Sequence, residues 1–391
     1  MLYDLANTIF ALGVIGLYVP AWLTQEGLPD SALAITEALA GAAVIFLAPW
    51  TGARSDHFGP RLPALAWTTA LAIGATALLD TFPSTITLVL VGVGLIGLNV
   101  GSALYDSLLD EVSLPADRGR ISGLGVGVGY VGSFIGLGLG ILAFEVLDLG
   151  YRGTFRLLAL GFLIFSIPIF VWVKERRPSQ PGSPPSATRV VKGLIESWRR
   201  AAQFPGVVRF LVGRFLYTDA INTLIGGFLA IFVLRELDLD ESAVTRLLGL
   251  AIATAIVGGL GGGRLVTRFG PLTVLRGVLL VWAGAMATGV IAAVTGATPL
   301  IWFVGSVGGL ALGATWTADR VAMLELSPNR HLGEFYGLYA TVGRFATILG
   351  PLAWALVVDV FGWGRSAAML VLSGFVLSGW LVLGRLRSQL R

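Results

Sequence analysis

The 391-residue sequence contains no cysteine, which excludes disulfides and thiolate-held metals. Its histidines are His57 and His331 alone, so no metal centre and no cofactor are expected. Charge is scarce as well. Asp, Glu, Lys and Arg make up 13% of the chain, about half of what a soluble domain carries. No GxxxxGK[ST] run is present, so there is no P-loop. The stretches Gly92–Gly97 and Gly127–Gly132 match GxGxxG. Neither follows a predicted strand and both lie within apolar runs, so a dinucleotide site is not expected. No nucleophile and base stand at enzyme spacing, and the chain is not expected to be an enzyme.

What is abundant is apolar length. The mean hydropathy is +0.82. Runs of about 20 residues recur from end to end, each long enough to cross ~30 Å of hydrocarbon. Twelve spans are predicted, near 2–24, 31–50, 62–80, 85–112, 120–146, 152–173, 207–234, 243–263, 272–294, 298–326, 333–358 and 365–385. The fold class is therefore all-α and membrane-spanning, with a bilayer as the surroundings. The first run lacks a basic flank and a small-residue cleavage site, and reads as a retained helix. With both termini on the cytoplasmic side, the loops facing outward hold only Arg152, Arg156, Arg235, Arg246 and Arg365. The other loop cations then face inward, as the basic-residue rule requires. The pI near 9.6 is thus accounted for by loops, and no nucleic acid partner is expected. Lys174 and Lys192 are the only lysines. That arginine bias suits a GC-rich bacterial genome, and the expected location is a bacterial inner membrane. We expect a monomer.

Residues 174–205 break the pattern. They are polar, basic and rich in Pro and Ser, and Pro prevents a regular helix in the first part. The second part, from Val190 to Ala202, has the composition of an amphipathic surface helix. The expected organisation is a six-helix bundle over 1–173, a cytoplasmic linker over 174–205 and a second six-helix bundle over 206–391.

The two halves repeat. Asp4 and Asn7 recur as Asp219 and Asn222, an offset of 215. Phe58-Gly59-Pro60 recurs as Phe269-Gly270-Pro271, and Asp106 recurs as Asp319. Leu114-Pro115 maps near Ser327-Pro328. Six spans separate the copies, so both halves run the same way through the membrane, a parallel repeat. Repeated polar pairs point to a site where the halves meet.

An ionisable residue in a span costs at least ~2.5 kcal/mol, so each needs a partner, water or a task. Asn99, Ser102, Asp106 and Asp110 share one helix face, bordered by Tyr105. Trp316, Asp319 and Met323 share another, beside Arg320. The functional reading is a solute-binding cavity drawn from Asn7, Tyr105, Asp106, Tyr217, Asp219, Asn222, Trp316, Asp319, Arg320 and Arg344. Within it, Asp106, Asp219 and Asp319 are candidate proton carriers. The structural reading is interhelical pairing, for instance of Asp319 with Arg344; it suits Asp110, Glu111 and Glu325 near span ends. The loop GARSDHFGPR, with Gly52, Asp56, Gly59 and Arg61, reads as a gate between spans. Small residues four apart, such as Gly125 and Gly129 or Gly258 and Gly262, allow close helix packing.

Several of these segments resemble one family. Tyr3-Asp4-x-Ala6-Asn7 is one. Asp117-Arg118-Gly119-Arg120-x-Ser122-Gly123 is a second, and Arg214-Phe215-Leu216-Tyr217-x-Asp219-x-x-Asn222-Thr223 a third. The eleventh span adds Phe335-x-Gly337-Leu338-Tyr339, Gly343-Arg344 and Gly350-Pro351. Together they resemble the major facilitator superfamily, and within it the autophagy-related vacuolar effluxers and their bacterial relatives. The resemblance implies two pseudo-symmetric six-helix bundles and alternating access. It also implies efflux of amino acids or related small solutes. The gate loop departs from the superfamily pattern, with Arg54 where Leu is usual and His57 where a basic residue is usual. An alternative within the superfamily is a sodium-coupled sugar symporter, which would need several acids in the second span; Glu37 stands alone there. A non-transporting membrane receptor or scaffold is the alternative outside it.

Overall fold

The computed structural model describes residues 2–106, 108, 118–175, 186–328 and 332–386. Asp110, Glu111, Asp117 and the side chain of Asp56 lie outside the described residues. Among the described residues, six helices come before residue 175: α1 (Leu2–Gln25), α2 (Asp30–Phe58), α3 (Leu62–Ala77), α4 (Ser84–Asp106), α5 (Arg118–Ile141, continued by Leu142–Val146) and α6 (Gly150–Trp172). Next comes α7 (Ala187–Ala201). Then follow α8 (Pro205–Arg235), α9 (Glu241–Phe269), α10 (Pro271–Thr295), α11 (Leu300–Leu326), α12 (Leu332–Phe345), α13 (Leu349–Ala355, continued by Leu356–Val360) and α14 (Gly364–Gly384).

Among the described residues, eleven helical stretches are long and apolar enough to cross a membrane, and α3 is a shorter apolar helix. With α12 and α13 counted as one broken crossing, they make the twelve spans. Their apolar surfaces turn outward, as a hydrocarbon solvent allows; Trp67, Leu39 and Leu260 are exposed.

The second and eighth spans run further than their hydropathy suggests. Each is 29 residues long, about 43 Å at 1.5 Å per residue, and so outreaches the hydrocarbon layer. The expected gate loop is accordingly corrected. Gly52 and Asp56 are in the interior of α2, and the turn begins only at Gly59. Polar side chains such as Arg54 do not end a helix; they extend it into polar surroundings. Gly59 (φ 95°) and its counterpart Gly270 (φ 80°) end the two helices, in a conformation that favours glycine.

The repeat extends to helix irregularities. Wider i→i+5 turns begin at Ile9 in α1 and at Leu224 in α8, again 215 residues apart. Two more begin at Leu142 and Leu356. Such turns are rare and concentrate at functional positions.

The chain divides into two compact units, Met1–Gly27 with Thr36–Gly193, and Leu28–Ile35 with Leu194–Arg391. In the first, α1 packs on α5 and α6, and α3 packs on α4 and α6. In the second, α8 packs on α12 and α14, and α10 packs on α11 and α14. The second unit also holds the first turn of α2. Asp30 is fully buried. It accepts from Arg235 at 2.7 Å, Arg365 at 2.9 Å and Trp354 at 2.9 Å.

Candidate functional site

The polar residues of the first unit gather at the start of α1. Tyr3 is hydrogen-bonded to Thr69 Oγ1 at 2.6 Å. Its ring lies 4.9 Å from that of Tyr105, whose hydroxyl donates to Asp4 Oδ2 at 2.5 Å. Asn7 Nδ2 donates to Ser102 Oγ at 3.3 Å. Its Oδ1 is buried and has no hydrogen-bond partner. Thr8 donates to the Gly129 carbonyl at 2.6 Å, and Gly132 lies so close that a Cβ there would meet Thr8 Oγ1 at 2.2 Å. Of the stripe on α4, Ser102 thus faces Asn7, Asn99 turns back to its own helix at Leu95, and Asp106 is exposed.

The second unit handles the same polar residues differently. Asp319, on α11, is 0% exposed. Its Oδ2 receives Arg214 Nε at 3.0 Å and the Tyr339 hydroxyl at 2.9 Å, and its Oδ1 receives the Tyr217 hydroxyl at 2.5 Å. The guanidinium of Arg214 lies 3.8 Å from the centre of the Tyr339 ring, within cation–π range. Its Nη1 is buried without a hydrogen-bond partner. Gly343 makes room for it, since a Cβ there would fall 2.6 Å from Nη1. Three helices therefore converge on one carboxylate: α8 supplies Arg214 and Tyr217, α12 supplies Tyr339, and α11 supplies the acid.

Asp219 and Asn222 sit one to two turns further along α8 and serve the break between α12 and α13. A broken helix leaves carbonyls on one side and N–H groups on the other without partners. Asp219, also 0% exposed, accepts from the N–H of Ile348 at 3.1 Å and of Gly350 at 2.6 Å. Asn222 Nδ2 donates to the Ala346 carbonyl at 2.8 Å. Thr223 donates to the Asp219 carbonyl at 2.7 Å, and a Cβ on Gly350 would lie 2.0 Å from Thr223 Oγ1. The Asp-x-x-Asn-Thr segment thus presses against a glycine in both units, at Gly132 and at Gly350.

The remaining expected residues are more scattered. Trp316 and Arg344 are half-buried, and Arg320 is exposed. The ion pair at Asp319 is with Arg214, which replaces the pairing with Arg344 considered above. At the short turn after α2, Arg61 is buried. The N–H groups of Arg61 and Leu62 both donate to Glu175 Oε2 at 2.6 Å. That carboxylate caps the N-terminus of α3. Sequence reasoning missed Glu175, Asp30 and the roles of Tyr3 and Tyr339. Glu175 and Asp30 have no local signal, because their partners lie more than a hundred residues away. No group of three or more metal-ligating acids or histidines occurs among the described residues.

With this geometry in hand, the likeness to known proteins can be placed. Residues 102–389 match the family described as vacuole effluxer Atg22 like. The MFS-type transporter YxiO of Bacillus subtilis is 24% identical over 397 residues, covering 96% of this chain and 91% of YxiO. Autophagy-related protein 22 of Yarrowia lipolytica is 28% identical over 279 residues, covering 61% of this chain and 46% of that protein. In three dimensions, the nucleoside transporter NupG aligns with a TM-score of 0.78 at 12% identity, over 98% of both chains. A bacterial homologue of the lysosomal transporter Spinster aligns with a TM-score of 0.69 at 16% identity, over 99% of this chain and 95% of that one.

Proposed function

The chain belongs to the Atg22-like effluxer family of major facilitator transporters, in the twelve-helix fold of two six-helix bundles, and from that premise we propose that it exports a small solute by proton-coupled alternating access. It is an integral multi-pass membrane transporter. The solute class that fits the family is an amino acid or a related compound, moved across a bacterial inner membrane with both chain ends cytoplasmic.

The observation that carries proton coupling is the Asp319 cluster. A carboxylate buried among an arginine and two tyrosines from neighbouring spans has two chemically distinct arrangements. Ionised, it binds α8 and α12 to α11 through the ion pair and the hydroxyl donors. Protonated, it gives up the ion pair, and α8 keeps an unpaired guanidinium. Proton uptake and loosening of these helices are then one event, which is how a local charge change biases a larger one. Asn7, Tyr105, Asp106, Trp316, Arg320 and Arg344 are the candidate solute contacts in this reading. Asp219 and Asn222 act by holding the broken eleventh span.

The test is solute-dependent proton movement in proteoliposomes that carry an internal pH dye, with amino acids offered one at a time. At least one should acidify or alkalinise the lumen in proportion to its own flux. Transport of a solute with no proton movement, and no response to an imposed pH gradient, would contradict the reading.

A further inference from the structure

The helix α7 is outside the twelve spans and is built unlike them. Val190, Val191, Ile195 and Trp198 fall on one side of it at helical spacing. Glu196 is diametrically opposite. Lys192 and Arg199 flank Glu196 on one side, and Arg189 and Arg200 flank it on the other. Lys192 and Arg199 thus border the apolar stripe on the Ile195 side, and Arg189 and Arg200 share the far face with the single acid, a polar face dominated by cations. Half of the stripe is uncovered: Val191 is 39% and Ile195 46% exposed, while Val190 and Trp198 are half-buried. No other helix packs extensively along α7 among the described residues. Its C-terminal end is tucked in, at the buried Ala201.

Position decides what can cover that stripe. The span α8 begins at Pro205, three residues after α7 ends. Three residues reach at most about 10 Å. The C-terminal end of α7 is therefore held within about 10 Å of the point where the chain enters the bilayer. A basic amphipathic helix held there faces lipid before anything else, and its bordering cations match anionic headgroups.

We propose that α7 docks flat on the anionic lipid surface of the adjoining leaflet. Its Val, Ile and Trp side chains enter the acyl boundary, Lys192 and Arg199 at the border of the stripe meet headgroup phosphates, and Arg189 and Arg200 add their charge from the far face. Glu196 points to water. The inference needs only that the chain spans a membrane, and is independent of solute and coupling ion.

The absence of cysteine makes the test direct. Ile195→Cys and Glu196→Cys are made singly in the full chain, spin-labelled and reconstituted in nanodiscs. One set is pure phosphatidylcholine; the other holds roughly a third phosphatidylglycerol, a surface on which electrostatic attraction to Lys and Arg operates. Accessibility to a water-soluble nickel chelate and to oxygen is then read by spin-label relaxation. At position 195 the label should lose nickel accessibility and gain oxygen accessibility when phosphatidylglycerol is present. At position 196 it should stay accessible to nickel in both. Replacing Arg189, Lys192, Arg199 and Arg200 by Gln should abolish the lipid dependence, each removal lowering the docked-to-free ratio roughly fivefold. A label at 195 that is equally wet in both lipids would overturn the proposal. So would one shielded equally in both lipids, or already shielded in detergent, since the stripe would then be covered by neutral lipid or by protein.

Discussion

The same helix pair is closed in two ways in the two halves. In the second unit α9 and α11 form the most closely packed helix pair among the described residues, and they meet backbone to backbone. A Cβ on Gly313 would lie 1.9 Å from the Ala255 carbonyl, and one on Gly309 would lie 2.1 Å from the Ala251 carbonyl. By the repeat, the equivalents of Gly309 and Gly313 are Ile96 and Val100 on α4. Those residues pack by side chains against Val44 and Ala48 of α2. The acids follow the same division. Asp319 is caged by Arg214, Tyr217 and Tyr339, whereas its equivalent Asp106 is exposed. Asp219 is spent on the backbone of a broken helix, whereas its equivalent Asp4 accepts from a tyrosine. A duplicated backbone therefore does not imply duplicated chemistry. One copy has invested its polar residues in internal pairing, and the other keeps more of them near the surface.

Substitutions at equivalent positions can break or sharpen that contrast. The largest effect is expected at the glycine seam. Gly313→Val places side-chain atoms inside van der Waals contact of the α9 backbone, and should abolish monodisperse folded protein by size-exclusion chromatography. Val100→Ala, at the equivalent place, leaves a cavity and should cost about 1–3 kcal/mol. Next comes Asp319→Ala, which strands Arg214 as an unpaired buried charge. It should destabilise the protein by about 3–5 kcal/mol, visible as a lower melting temperature in detergent. Asp106→Ala, at an exposed position, should cost less than Asp319→Ala in the same assay. Smaller than at Asp319 is the effect at the asparagines. Asn222→Ala leaves the Ala346 carbonyl without its donor and should cost about 1–3 kcal/mol. Asn7→Ala removes a side chain that already has one buried orphan atom, and should cost less than Asn222→Ala in the same melting assay. Equal effects within any of these pairs would erase the distinction between the halves.

Much of this architecture was legible in the residues, for a physical reason. Hydrocarbon demands continuous apolar helices, so eleven crossings and the shorter α3 could be read from length and hydropathy. The repeat was legible because identical turns, such as Phe-Gly-Pro, and identical polar pairs recur at nearly constant spacing. The extent of α2 and α9 was not, because Arg54 and Thr267 look like loop residues although the helix carries them beyond the membrane. Partners were not legible either. Arg214 and Asp319 are 105 residues apart, and no local pattern pairs them. Gly350-Pro351 signals a break in the eleventh span, but not that Asp219 and Asn222 satisfy its loose ends. Polar residues in a span could be named; which were anchors and which were open to solute depended on packing.

The central claim is that the caged acid of the second unit, and not its exposed counterpart, couples solute to protons. Asp319→Asn and Asp106→Asn should be compared in proteoliposomes for solute exchange at equal pH and for accumulation driven by a pH gradient. The account predicts that Asp319→Asn keeps exchange and loses gradient-driven accumulation, while Asp106→Asn changes solute affinity but keeps gradient-driven accumulation in proportion to its exchange. Gradient-driven accumulation by Asp319→Asn at the level of the unaltered protein would contradict it.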